Sequence, residues 1–328
     1  MNLRPVFIFS LPRSGSTLLQ RILTSHRNIA SVSEPWLLLP LFYNLNSRGV
    51  FAEYAHINLV QATQDLIHML PEGENDYYKA IRSFAMHIYQ KLSGEDIVYF
   101  IDKTPRYHLI IDKIFQSFPE AKFIFLWRQP LAVAASIMTM TNPQGTWKNL
   151  HRYRIDLYEG LDNLISNSVK YQDQSITITY EQLVKNPEET LNSVANYLEI
   201  DFQIKDIEIA FTTPQLKGNL GDIAGYLTYN KISMDSLGKW KTTMRSPLRK
   251  KWCERYLDWI GDSRLRQLGY QYSDILETLN STKTSYSRLY MDVIEYFSYG
   301  MAYSIFDPSI LKYKIRSRLN HKRTYPLF

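Results

Sequence analysis

The sequence predicts an α/β fold, a central parallel β-sheet flanked by helices, and three observations lead to it. Short apolar runs recur at residues 5–10, 97–101, 123–127 and 175–180, each closed by turn-forming or charged residues. Between them lie stretches in which apolar residues repeat at helical spacing, so strand and helix alternate along the chain. With 328 residues, 45% hydrophobic and 21% charged, the chain can bury a full core as one large α/β domain or one domain plus a substantial appendage.

The first element is the most informative. Pro5-Val6-Phe7-Ile8-Phe9-Ser10 reads as a strand, Leu11-Pro12-Arg13-Ser14-Gly15-Ser16-Thr17 as a loop, and Leu18-Leu19-Gln20-Arg21-Ile22-Leu23 as a helix. A loop ending at a helix N-terminus offers free N–H groups and the positive end of the dipole to an anion. Gly15 allows close backbone approach, Ser14, Ser16 and Thr17 supply polar donors, and Arg13 supplies a planar, permanently charged fork. The ATP-binding pattern Gly-x-x-x-x-Gly-Lys-[Ser/Thr] is not met: aligned on Gly15, its first Gly is Ser10 and its Lys is Ser16. A transferred group with less charge than a γ-phosphate, and no obligatory metal, fits such a loop better. Residues Pro12-Arg13-Ser14-Gly15-Ser16-Thr17-Leu18-Leu19 resemble the 5′-phosphosulfate loop of sulfotransferases that use 3′-phosphoadenosine 5′-phosphosulfate (PAPS). The resemblance, nearest to the tyrosylprotein and bacterial branch, implies a P-loop-containing nucleotide-binding type of fold. It also implies adenosine 3′,5′-bisphosphate as the second product.

Further elements follow in order. Glu34, in a loop just beyond the first helix, is the candidate general base toward an acceptor hydroxyl. Residues 45–95 carry apolar residues at helical spacing, interrupted by Pro71-Glu72-Gly73, and read as two helices of an acceptor lid. Ile97-Val98-Tyr99-Phe100-Ile101 reads as the second parallel strand and ends in Asp102-Lys103-Thr104-Pro105. Chemistry in open α/β sheets sits at strand C-termini, which singles out Lys103, with His108 as the alternative base should Glu34 point away. Many sulfotransferases are similar here, and the resemblance gives Lys103 the task of steadying charge on the bridging oxygen and transferred group. A helix over 111–118 leads to the strand 123–127 and then to Arg128 and the Ala-rich helix 131–140. Arg128 together with Ser136 resembles the family's 3′-phosphate site.

Residues 153–164 continue helical, 175–180 form a strand, and the segment from Tyr180-Glu181-Gln182-Leu183 to Leu198 resembles a structural signature of the family. The Gly-rich stretch 212–230 reads as a loop over the nucleotide. Lys239, Trp240 and Lys241 resemble a late family element, with the two lysines near the 3′-phosphate and the indole supporting the adenine pocket. Residues 252–268 read as the closing helix.

These readings divide the chain into a sulfotransferase-like domain, 1–275, and an aromatic and basic C-terminal extension, 276–328. The net charge is +6, and the last 48 residues hold eight Lys/Arg against Asp292, Glu295 and Asp307. The extension suits packing on its own domain, a cover over the acceptor cleft, a homodimer or an anionic membrane surface. No nucleic-acid-binding motif is present. The N-terminus reads as having no leader, and a single cysteine, Cys253, suits a reducing compartment, so the expected location is cytoplasmic. No metal-ligand spacing is found. The expected reaction is transfer of a sulfuryl group from PAPS to an acceptor hydroxyl of a carbohydrate, lipid, natural product or tyrosine. A magnesium-dependent kinase of a small molecule or nucleotide and a non-catalytic nucleotide-binding protein are the alternatives.

Overall fold

A computed structural model describes residues 3–52, 54–203, 207, 209–211, 216–218, 220, 231–305 and 311. Among these residues, five strands, β1 (Arg4–Phe9), β2 (Ile29–Ser31), β3 (Tyr99–Asp102), β4 (Lys122–Trp127) and β5 (Ser175–Thr179), form one sheet in the order β2-β3-β1-β4-β5. Every neighbouring pair is parallel, in register at Phe7 with Asp102, Phe9 with Phe125, Ser31 with Ile101 and Trp127 with Thr179. The edge strand β2 has only three residues and escapes any periodicity argument, so the strand expected as second is the third.

A parallel sheet is covered on both faces, and side chains alternate between them. In β1, β3 and β4 the alternation sorts residues by type. Phe7, Phe9, Phe100, Phe123, Phe125 and Trp127 enter one core with the helix Ile111–Ser117. Val6, Ile8, Ile101, Ile124 and Leu126 enter the other, against α1 (Ser16–Leu23) and the helix Pro187–Leu198. Phe115 stacks on Phe123 with ring centroids 3.7 Å apart. Each such fully buried side chain contributes roughly 1.5–3 kcal/mol of transfer free energy, so the two-sided sheet is the rigid frame for whatever its strand ends carry.

The expected pair of helices within 45–95 forms as His56–Met69 and Glu74–Leu92, separated at Gly73 (φ 58°). Three expected continuous helices are divided. Over 153–164 the chain passes from Trp147–Arg152 through a π-helical turn, Asp156–Gly160, into Leu161–Lys170. After β5, Thr179 and Gln182 form a capping box at the start of Tyr180–Lys185, and Pro187 opens a separate helix. Gly261, at φ 77°, separates Pro247–Ile260 from Asp262–Gln267.

The described part of the C-terminal extension docks on the domain through charge. Asp292, on the helix Leu289–Ile305, accepts from Arg249 Nη2 at 2.7 Å and Nε at 3.1 Å, and both side chains are buried. Glu295 accepts from the Trp147 backbone N–H at 2.9 Å. No described helix is long and apolar enough to cross a membrane. Of the basic residues of the extension, those from Lys312 onward lie outside the described residues, as does most of the 212–230 loop.

Candidate active site

The connections change sides about β1: from it the chain runs to the edge strand β2 and back to β3 on one side, then crosses to β4 and β5 on the other. Ligand crevices in open α/β sheets lie at such a switch point, beyond the strand C-termini. The β1 loop, Lys103 after β3 and Arg128 after β4 therefore emerge side by side from three adjacent strands.

The loop is shaped by two left-handed residues, Arg13 at φ 69° and Gly15 at φ 92°. Ser14 N–H closes the turn on the Leu11 carbonyl at 3.3 Å. Gly15 is the N-cap of α1, and among the described residues no side chain caps that end. The first N–H groups of the helix thus have no intrahelical acceptor and suit an anion. Ser14 and Ser16 are buried beside it, and the buried Ser10 hydroxyl at the loop's start has no hydrogen-bond partner among the described residues. An uncapped helix end with unsatisfied donors fits the phosphosulfate end of the implied donor.

Gly15 is required twice over. Its backbone is left-handed, and a Cβ built there would lie 2.2 Å from Cδ2 of Tyr180. The Tyr180 ring also stacks under the Arg128 guanidinium, 4.4 Å from centroid to Cζ, while its hydroxyl pairs with Ser236 Oγ at 2.7 Å. Sequence reasoning assigned Tyr180 to the fold alone; it is the wall behind the loop.

Arg128 and Ser136 meet the loop through different atoms of one residue. Arg128 Nη1 donates to the Arg13 carbonyl at 2.8 Å and Nη2 to the Ser236 carbonyl at 3.3 Å. Arg13 Nε donates to Ser136 Oγ at 3.2 Å. The strained turn at Arg13 is thereby held on both its main chain and its side chain. Trp240 is buried in the core, on a helix (Lys239–Thr243) that packs against Pro130–Met138, and Lys239 and Lys241 flank it in solvent.

Lys103 joins the remaining parts. Its buried Nζ donates to Glu34 Oε1 at 2.9 Å and to Thr17 Oγ1, in the first turn of α1, at 3.3 Å. Glu34 reaches it because Gln20 Nε2 donates to Ser31 Oγ (2.7 Å) and the Val32 carbonyl (2.9 Å), and Ser31 Oγ donates to the Ile101 carbonyl (2.6 Å). Trp36, left-handed at φ 53°, donates from Nε1 to Glu34 Oε2 at 3.3 Å and from its backbone to Thr104 Oγ1 at 3.2 Å. From the Gly-rich stretch, the Lys217 carbonyl accepts from Ser33 N–H at 2.9 Å.

His108, the alternative base, is buried elsewhere in a charge cluster. Its Nε2 pairs with Asp156 Oδ1 at 2.9 Å, and Asp156 Oδ2 accepts from Arg106 at 3.0 Å. A Cβ on Gly160, in the π-helical turn, would come within 2.8 Å of the imidazole.

Asp102, beside Lys103, accepts from the Tyr89 hydroxyl at 2.5 Å and the Tyr107 hydroxyl at 2.9 Å. Burial pushes its carboxyl from 3.8 up to about 6, against the pull of Tyr89, Tyr107, Thr104 and Lys103. The folded state thus keeps this proton where the unfolded chain has lost it, so stability falls as pH rises from 3.8 to about 6. The penalty is complete above that range and is on the order of 3 kcal/mol. Asp102→Asn, which still accepts from both tyrosines, is expected to flatten this slope. Urea midpoints at about pH 4 and about pH 7 check it, and an unchanged difference would assign the slope to another group.

The sulfotransferase family model matches residues 5–204. Nodulation protein NoeE of Sinorhizobium fredii is 37% identical over 134 residues, covering 40% of this chain and 30% of that one. The protein-tyrosine sulfotransferase of Drosophila melanogaster is 24% identical over 200 residues, 60% of this chain and 38% of that one. The chain thus spans about a third of the length of these two relatives. Among solved structures, the sulfotransferase domain of the Synechococcus PCC 7002 olefin synthase superposes with a TM-score of 0.51 at 24% identity, covering 74% of this chain and 88% of that one. The sulfotransferase domain from the curacin biosynthetic pathway gives 0.52 at 22% identity, covering 81% and 97%. Both share the fold.

Proposed function

Because the chain belongs to the sulfotransferase family, we propose that this site moves a sulfuryl group from PAPS to a hydroxyl of an acceptor. One observation carries the reading: a single buried ammonium, Lys103, bridges the first turn of the anion-binding helix and a carboxylate. Anion site, cation and base are thereby within a few ångströms of one another. The donor supplies the activated sulfuryl group.

The chain's residues do the rest. Arg13, Ser14, Gly15, Ser16 and Thr17 hold the phosphosulfate at the uncapped end of α1. Arg128 and Ser136, with Lys239 and Lys241, meet the 3′-phosphate, while Trp240 anchors the helix that carries the two lysines. Glu34 takes the proton as the acceptor oxygen bonds to sulfur. As the bond from sulfur to the leaving phosphate oxygen breaks, Lys103 and the helix N–H groups meet the charge that develops there. We place the acceptor beneath the helices of residues 45–95. Glu74–Leu92 supports this, since its Tyr89 bonds to Asp102 directly beside Lys103.

Calorimetry followed by a transfer assay tests the function. Adenosine 3′,5′-bisphosphate is expected to bind without Mg²⁺ at least about a hundredfold more tightly than ATP, equivalent to ~2.7 kcal/mol. Labelled sulfuryl is expected to pass from PAPS to a member of a panel of hydroxyl-bearing acceptors. ATP binding preferred in the presence of Mg²⁺ would overturn the reading in favour of a kinase.

A further inference from the structure

The helix Leu289–Ile305 has two faces of opposite character. Its only charged residues, Asp292 and Glu295, turn inward to Arg249 and the Trp147 backbone. Outward stand Tyr290, Ile294, Phe297, Met301 and Ile305, spaced 4, 3, 4 and 4 residues apart and thus on one stripe. Tyr290 is 76% exposed, Phe297 65%, Met301 67% and Ile305 64%. Serines are the polar residues among the exposed positions of this helix. A contiguous apolar stripe of this kind on a folded protein marks an interaction surface.

The sequence that follows decides the occupant. Residues 306–328 contain Lys312, Lys314, Arg316, Arg318, Lys322 and Arg323 against the single acid Asp307. A second copy seated on the same stripe would bring two such segments of like charge together. An anionic bilayer satisfies both features at once, taking the apolar stripe among its acyl chains and the cations among its headgroups. We infer that the Leu289–Ile305 stripe docks this protein on an anionic membrane surface, lying in the interface without crossing the bilayer.

The full chain should co-sediment with sucrose-loaded vesicles of roughly seven parts phosphatidylcholine to three parts phosphatidylserine at least about tenfold better than with phosphatidylcholine alone. Raising the salt from about 0.1 M to about 0.5 M should remove most of that preference, because screening acts on the cationic contribution. The double variant Phe297→Asp, Met301→Asp should lose about tenfold or more of the binding while keeping the wild-type urea midpoint, since both side chains already face solvent. A second variant, with Lys312, Lys314, Arg316 and Arg318 changed to Gln, should lose the preference for anionic lipid. No binding to either vesicle, or binding indifferent to Phe297 and Met301, overturns the inference. So does a dimer in sedimentation equilibrium that the double variant disperses, which would assign the stripe to a second copy.

Discussion

Lys103→Ala is expected to lower kcat by about 10²–10³, with KM for the donor changed by no more than about threefold. The reason is placement. The ammonium contacts Thr17 in the first turn of α1 and Glu34 in the neighbouring loop, which in the proposed function is where charge develops in the transition state. In the proposed function the phosphosulfate is gripped by backbone N–H groups and Arg13, a grip that does not depend on Lys103. Alanine also removes one partner of a nearly buried ion pair, a change that costs roughly 3–5 kcal/mol of stability in such settings. Rates must therefore be taken on protein shown to be folded, and Lys103→Met, which keeps the stem, serves as the second variant. Glu34→Gln is expected to cost at least about 10² in kcat for want of a proton acceptor. Because the two groups are bonded at 2.9 Å and, in the proposed function, serve one step, the double variant should be only about threefold worse than the poorer single. Equal losses in kcat and donor affinity for Lys103→Ala would make it a binding residue. Activity retained in Glu34→Gln would move the base elsewhere.

What the sequence disclosed about this site follows from how local each feature is. The β1 loop was legible because strand, turn and helix are contiguous and Gly15 announces a left-handed turn. Lys103 and Arg128 were legible because each ends an apolar run, and a parallel sheet places all such ends on one edge. Arg13, by contrast, carries no sequence mark of its φ of 69°; the bonds from Arg128 and to Ser136 show how that backbone is held. Trp36 is similar, since its bond to Glu34 depends on another left-handed residue. The strand β2 was lost because three residues contain no period. The division at Asn186-Pro187 did have a signal, a proline suited to the first position of a new helix, overridden by the apolar spacing on either side. Tyr180 could not be found from sequence: it approaches Gly15 only once β5 has paired with β4 and β4 with β1.

That long-range contact yields the second large effect. Gly15→Ala is expected to weaken binding of adenosine 3′,5′-bisphosphate by at least about a hundredfold, or ~2.7 kcal/mol. Two penalties act together. Alanine resists the φ of 92°, at a cost of about 1 kcal/mol, and its Cβ would stand 2.2 Å from Cδ2 and 2.7 Å from Cε2 of the Tyr180 ring. The ring cannot simply retreat, since its hydroxyl is bonded to Ser236 and its face is stacked under Arg128. The loop must move instead, carrying the Arg13 carbonyl away from Arg128 and the helix N–H groups away from the anion. Tyr180→Ala introduced into Gly15→Ala removes the collision and leaves the backbone penalty, so it should recover part of the lost affinity, about tenfold. Tyr180→Ala alone should weaken binding only modestly, through loss of the ring beneath Arg128. The pattern separates the wall from the turn: no recovery in the double variant would mean that the left-handed backbone, and not the ring behind it, dictates glycine at this position.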